Sequence, residues 1–171
     1  MWCYYIRPGY KYREVILTYC HFDEDGRIVT DTKFLDDHFE NGVGRYNADW
    51  EKIEAEWFYE KSPELEKHSN MDGFEISNIT EGSWLRFANV EFDELYSNFS
   101  VNLSGASKYA KIEITLDSPD GEIIGAVSFP KTAEYKRVKC KIKEIRGKHD
   151  VYLKFTGVIG DDLKVDWFKF Y

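Results

Sequence analysis

Three carboxylates carry the first chemical suggestion in this chain. Ile53-Glu54-Ala55-Glu56 and Val165-Asp166-Trp167-Phe168 are short strand-like runs that two terminal strands of one β-domain can bring together. In an extended chain successive side chains alternate faces, so Glu54 and Glu56 share one face while Ile53, Ala55 and Trp57 share the other. Clustered carboxylate oxygens suit a hard cation, and calcium is the cofactor this pattern suggests. The same spacing also describes two solvated strand acids and a lone surface acid.

Other reactive side chains offer less. Cys3, Cys20 and Cys140 are odd in number and widely spaced, with neither the paired spacing of a zinc site nor the density of a disulfide scaffold. Cys140 alternates with Val138 and Ile142, between Lys139 and Lys141, which predicts an inward-packed thiol. His21, His38, His68 and His149 are scattered without metal-ligand spacing, and no Cys-His or Ser-His pair can be argued. The acidic clusters Asp23 to Asp25, Asp36-Asp37 and Asp161-Asp162 sit in turn-like settings, where solvated charge is expected rather than a catalytic pair.

The elements that must position these residues are strands. Twelve Tyr, twelve Phe and five Trp, with β-branched runs between them, favour an all-β architecture in one or two domains over 171 residues. A net charge of −8 argues against nucleic acid as a partner. No run has the length of a membrane span, and Met1-Trp2-Cys3-Tyr4-Tyr5 lacks the features of a signal peptide, so the chain reads as soluble with its compartment unspecified. Strands are expected at Trp2 to Ile6 and Tyr12 to Phe22, with a return from Arg27 after the hairpin signal Asp25-Gly26. A connector rich in Gly, Asn and Asp follows, which divides the chain into 1–40, a linker at 41–50, and 51–171. Nine short strands are then expected, among them Lys52 to Phe58, Ser83 to Phe92, Asn98 to Leu103, Lys136 to Ile145 and His149 to Phe155. Their even spacing, and the turn Asp117-Ser118-Pro119-Asp120-Gly121, predict a β-sandwich.

From Ile53 to Tyr171 the chain resembles a family 6 carbohydrate-binding module, a β-sandwich of jelly-roll type. The matching runs are I-E-A-E at 53–56, I-T-E-G-S-W-L-R-F at 79–87, V-E-F at 90–92, I-E-I-T-L-D-S-P-D-G-E-I-I-G at 112–125, H-D-V-Y-L-K-F-T-G at 149–157 and V-D-W-F-K-F at 165–170. The resemblance implies a structural calcium held by Glu54, Glu56 and Asp166. It also implies a sugar cleft that falls on Asn78, Tyr135 and Lys164. Only Tyr135 keeps the expected residue type there, where two aromatic faces and an amide are usual. A one-sided platform should bind a β-linked polysaccharide or oligosaccharide weakly.

Residues 9–19 (G-Y-K-Y-R-E-V-I-L-T-Y) and 21–28 (H-F-D-E-D-G-R-I) are similar to the closing strands of the five-bladed propeller of glycoside hydrolase family 43. This implies the carboxy-terminal part of a xylosidase- or arabinofuranosidase-like hydrolase, secreted or cytoplasmic. No catalysis is expected of the chain as given, because the paired carboxylates that glycoside hydrolysis needs are not matched. The expected function is binding of xylan, arabinoxylan or a related β-glycan. The alternative is a structural module with a decayed site that packs on the catalytic propeller. The amino-terminal strands are expected to pack on the module, with a tendency to dimerise with a second chain.

Overall fold

The computed structural model describes residues 2–4, 14–16, 20–22, 25–30, 46–70, 73–105, 109–129, 132–160 and 162–171. The chain divides into two compact units, Met1–Arg45 and Tyr46–Tyr171. In the first, β1 (Trp2–Tyr4) pairs antiparallel with β2 (Glu14–Ile16), and β3 (Cys20–Phe22) pairs antiparallel with β4 (Ile28–Thr30). The hairpin expected around Asp25-Gly26 is formed, with Phe22 opposite Ile28. Where one strand is expected from Tyr12 to Phe22, the described residues belong to two strands with different partners.

The second unit opens with β5 (Tyr46–Asn47) and β6 (Ile53–Glu54), a 3-10 turn (Ala55–Trp57), β7 (Glu60–Lys61), β8 (Glu66–Asn70) and β9 (Gly73–Ser77). It continues with β10 (Trp84–Ser104), β11 (Lys111–Leu116), β12 (Glu122–Ser128), β13 (Lys136–Thr156) and β14 (Lys164–Phe170). Tyr46, Ala48 and Trp50, in the stretch expected to be a linker, are buried in this unit. Among the described residues no helix is long and apolar enough to cross a membrane.

Two strands of 21 residues each, β10 and β13, build both layers of the sandwich. The first half of β10 pairs with the second half of β13, which pairs with β11 and through it with β12. The second half of β10 pairs with the first half of β13 and with β14, and β14 with β9 and β6. Between the halves the register slips at Phe92/Tyr96 and Tyr96/Asn98. Such irregularities bend a ladder, so that it turns from one layer into the other. The sequence reads four strands here because Asp93-Glu94-Leu95 and Arg146-Gly147-Lys148 resemble turns, whereas the ladder runs through them.

Aromatic rings fill the space between the layers. Phe87 of the first layer meets Phe168 of the second edge-to-face at 4.6 Å, and Phe168 stacks on Phe99 at 5.7 Å. All three are fully buried. Opposite the wet face of β11, Ile112 and Ile114 point into the same core. The β11–β12 hairpin closes as expected at Asp117–Gly121, where Gly121 N–H donates to Ser118 O at 3.0 Å. A Cβ on Gly121 would lie 2.0 Å from Leu116 O, so that turn requires glycine. Cys140 lies opposite Phe99 on the inward side, as expected, and burial pushes its thiol up to about 11.

Candidate functional site

At one end of the second layer three chain segments converge. Gly105, directly after β10, has φ +72° and donates its N–H to Thr132 O at 2.7 Å. A Cβ there would lie 1.8 Å from Asp162 O, so only glycine lets the segments before β13 and β14 meet the end of β10. The register then sets Ser104 opposite Lys164 and Leu103 opposite Lys136, which brings Tyr135 and Lys164 to the same end.

Both side chains close on Glu75, in the middle of β9. The Glu75 carboxylate is 1 % exposed. Tyr135 donates its hydroxyl to Oε2, Asn70 Nδ2 donates to the same oxygen at 3.2 Å, and Lys164 Nζ lies 2.6 Å from Oε1. His68, opposite Glu75 in the β8–β9 hairpin, has Nδ1 3.9 Å from Oε1. Burial opposes ionisation of Glu75, but the donors from Lys164, Tyr135 and Asn70 outweigh it and hold the carboxyl below its usual value. Burial and the neighbouring Glu75 charge push the Tyr135 hydroxyl up, so it stays a donor. The Tyr135 side is left 40 % exposed, anchored at its hydroxyl.

Of the three residues expected in the cleft, the structure therefore joins Tyr135 and Lys164 through Glu75. Asn78 is turned elsewhere: at φ 53° just after β9, its Nδ2 donates to Glu64 O at 2.7 Å. Sequence reasoning missed Glu75, Asn70 and His68. The β8–β9 hairpin was not expected as a pair, and a lone Glu between Phe74 and Ile76 looks like any solvent-facing strand residue.

The three candidate metal ligands lie farther along β14, where it pairs with β6. Strand alternation does not place them, because the chain leaves the β6 ladder after Glu54 and Ala55, Glu56 and Trp57 are all buried in the 3-10 turn. Glu54 is opposite Trp167, and Asp166 is the extra residue of a bulge between Trp167 and Val165, accepting from Asn102 Nδ2 at 3.0 Å. Burial pushes the Glu56 carboxyl, 2 % exposed, up to about 8, with the charges of Glu54 and Asp166 adding to the shift. Lys52 makes an ion pair with Glu54, and although burial opposes its charge, all three carboxylates hold its ammonium in the charged form. Among the described residues no three His, Cys, Asp or Glu side chains have metal-holding geometry. The charges of Glu54 and Asp166 oppose ionisation of Glu56, and Lys52 supplies some of the positive charge this group draws.

Of the acidic clusters read as solvated, Asp25 and Asp162 are exposed; Asp23, Glu24, Asp36, Asp37 and Asp161 lie outside the described residues.

The model of the family Carbohydrate binding module (family 6) matches residues 54–171. Arabinoxylan arabinofuranohydrolase from Bacillus subtilis (strain 168) is 27% identical over 135 residues, 71% of this chain and 25% of that protein. Endo-1,4-beta-xylanase A from Thermoclostridium stercorarium is 29% identical over 94 residues, 53% of this chain and 18% of that protein. The chain thus spans a quarter or less of the length of these relatives. Among solved structures, a family 6 carbohydrate-binding module from Clostridium cellulolyticum in complex with xylose is 30% identical with TM-score 0.67, covering 73% of this chain and 98% of that one. A glycoside hydrolase family 43 arabinoxylan arabinofuranohydrolase from Bacillus subtilis, in complex with cellotetraose, has TM-score 0.66 at 21% identity and covers 90% of this chain and 33% of that one, a likeness of fold. With its jelly-roll sandwich and the match over residues 54–171, the chain belongs to carbohydrate-binding module family 6.

Proposed function

We propose that this chain is the non-catalytic binding module of a plant-polysaccharide hydrolase and holds xylan, arabinoxylan or a related β-glycan weakly at the Tyr135 end of the sandwich. The observation that carries this reading is the half-exposed Tyr135 ring tied by its hydroxyl to the buried Glu75. A ring fixed at one edge offers its face to the C–H side of a sugar without losing rotamer entropy on binding. Lys164 is the polar group proposed for ring hydroxyls; Asn78, expected beside it, is turned to Glu64 O. Titration with xylo- and arabino-oligosaccharides, beside Tyr135→Ala, tests it.

A second reading is a structural module that packs on its parent's propeller. It is favoured by one observation: the Tyr135 hydroxyl, the Lys164 ammonium and the Asn78 amide all have partners within the chain. Absence of sugar binding together with tight association with the propeller domain would favour it.

The parent is proposed to be a family 43 xylosidase or arabinofuranosidase. The fold likeness to the arabinoxylan arabinofuranohydrolase covers more of this chain than the Tyr46–Tyr171 unit alone supplies, so it supports reading Met1–Arg45 as the end of a propeller. Without that propeller, β1 and β2 would pair with a second copy, which sedimentation of the whole chain checks. Glu54, Glu56 and Asp166 would hold a structural calcium, whose charge would relieve the repulsion among them.

A further inference from the structure

The outward face of the second layer is basic although the chain is acidic overall. On β13, Arg137, Lys139 and Lys141 are exposed at every second position, and Lys169 of β14 lies in the same row as Lys139 across β10. Directly opposed residues of a ladder share a face, so these four cations point the same way. Among the described residues none has an ion-pair partner. Two carboxylates toward the β6 edge are engaged elsewhere: Glu54 by Lys52 and Asp166 by Asn102.

The cations surround two aromatic rings. Arg137 packs its guanidinium 5.4 Å from the centre of Trp167 and 5.8 Å from that of Tyr171, and Lys139 Nζ lies 5.7 Å from Tyr171. Nε and Nη2 of Arg137 donate to Ser100 Oγ at 3.1 and 3.0 Å, and neither bond uses Nη1. Between the two basic rows run Asn98 and Asn102, whose amides suit hydroxyls. Tyr171 is 41 % exposed.

We propose that this face is a second binding surface, for an acidic polysaccharide: a glycan whose uronate carboxylates pair with Arg137, Lys139 and Lys141 while its rings lie on Tyr171 and Trp167. Charge complementarity supplies the selection, since a guanidinium held by Ser100 beside two rings keeps its remaining Nη donors for a carboxylate. The inference rests on the glycan-binding family and not on the Tyr135 cleft, which lies at the end of the layer rather than on its face.

The test is binding of the full 171-residue chain to a glucuronate-substituted xylan and to the same polymer after carboxyl reduction, at low and at high salt. The carboxylated polymer should bind at least about tenfold more tightly at low salt, and the difference should shrink as salt screens it. Arg137→Ala/Lys139→Gln/Lys141→Gln should abolish that difference, and Lys139→Gln/Lys141→Gln, which keeps Arg137 packed on Ser100, should reduce it. Tyr135→Ala should keep it whole, so failure of the cleft and failure of this face are told apart. Equal binding of both polymers overturns the proposal, as does a difference that survives in both basic-face variants while their melting curves stay cooperative. Single-stranded DNA binding as tightly as the acidic xylan also overturns it.

Discussion

Lys164 Nζ lies 2.6 Å from Glu75 Oε1, and the carboxylate it reaches is buried. The pair joins β14 to β9 across a ladder in which, among the described residues, Val165 pairs with Ile76. Replacing Lys164 with Met removes the cation and leaves Glu75 with its hydroxyl and amide donors alone. The expected cost is about 1–2 kcal/mol in urea unfolding, between the values for exposed and for buried pairs because Lys164 is itself half exposed.

The same carboxylate sets an acid dependence. A folded-state value below the ordinary 4.5 means the unfolded chain takes up the proton first as pH falls. Stability contributed by Glu75 is therefore present above pH 4.5 and is lost as pH drops through the folded value. Glu75→Gln should be less stable than the natural chain at neutral pH and should show a flatter acid limb. Equal slopes for the two proteins would contradict the role given to Glu75.

Phe168 is the ring that ties the layers, touching Phe87 on one side and Phe99 on the other. Phe168→Ala should cost about 3–5 kcal/mol, because neither 21-residue strand can shift to fill the cavity without breaking its pairing. Chemical denaturation measures it. A loss under about 1 kcal/mol would mean that the layers are not held together there.

Lys52 and calcium should compete. Added calcium is expected to raise the melting temperature, by an amount equivalent to about 2.7 kcal/mol at a hundredfold excess over its dissociation constant. Lys52→Gln should lower the melting temperature in EDTA and enlarge the gain from calcium. If EDTA and calcium leave both proteins unchanged, Glu54, Glu56 and Asp166 hold no metal.

The all-β class, the sandwich and the Asp117–Gly121 hairpin were legible because alternation and turn chemistry are local. The continuity of β10 and β13 was not: Arg146-Gly147-Lys148 has the composition of a turn, and only pairing with β10 shows that it carries a bent ladder. Glu56 shows the limit of periodicity in the other direction. Ile53 to Trp57 alternates like a strand, yet the chain winds into a 3-10 turn after Glu54 and buries the acid. Tyr135 and Lys164 could be named from motif position, whereas the residue that unites them, Glu75, is 60 positions from Tyr135 and has no motif of its own.

The most direct test of the central claim is calorimetric titration of the chain with xylohexaose, beside Tyr135→Ala. The account predicts saturable binding with a dissociation constant on the order of 1 mM, weakened at least about tenfold in the variant while its unfolding stays cooperative. Binding of equal strength in both proteins, or no heat of binding in either, would contradict it.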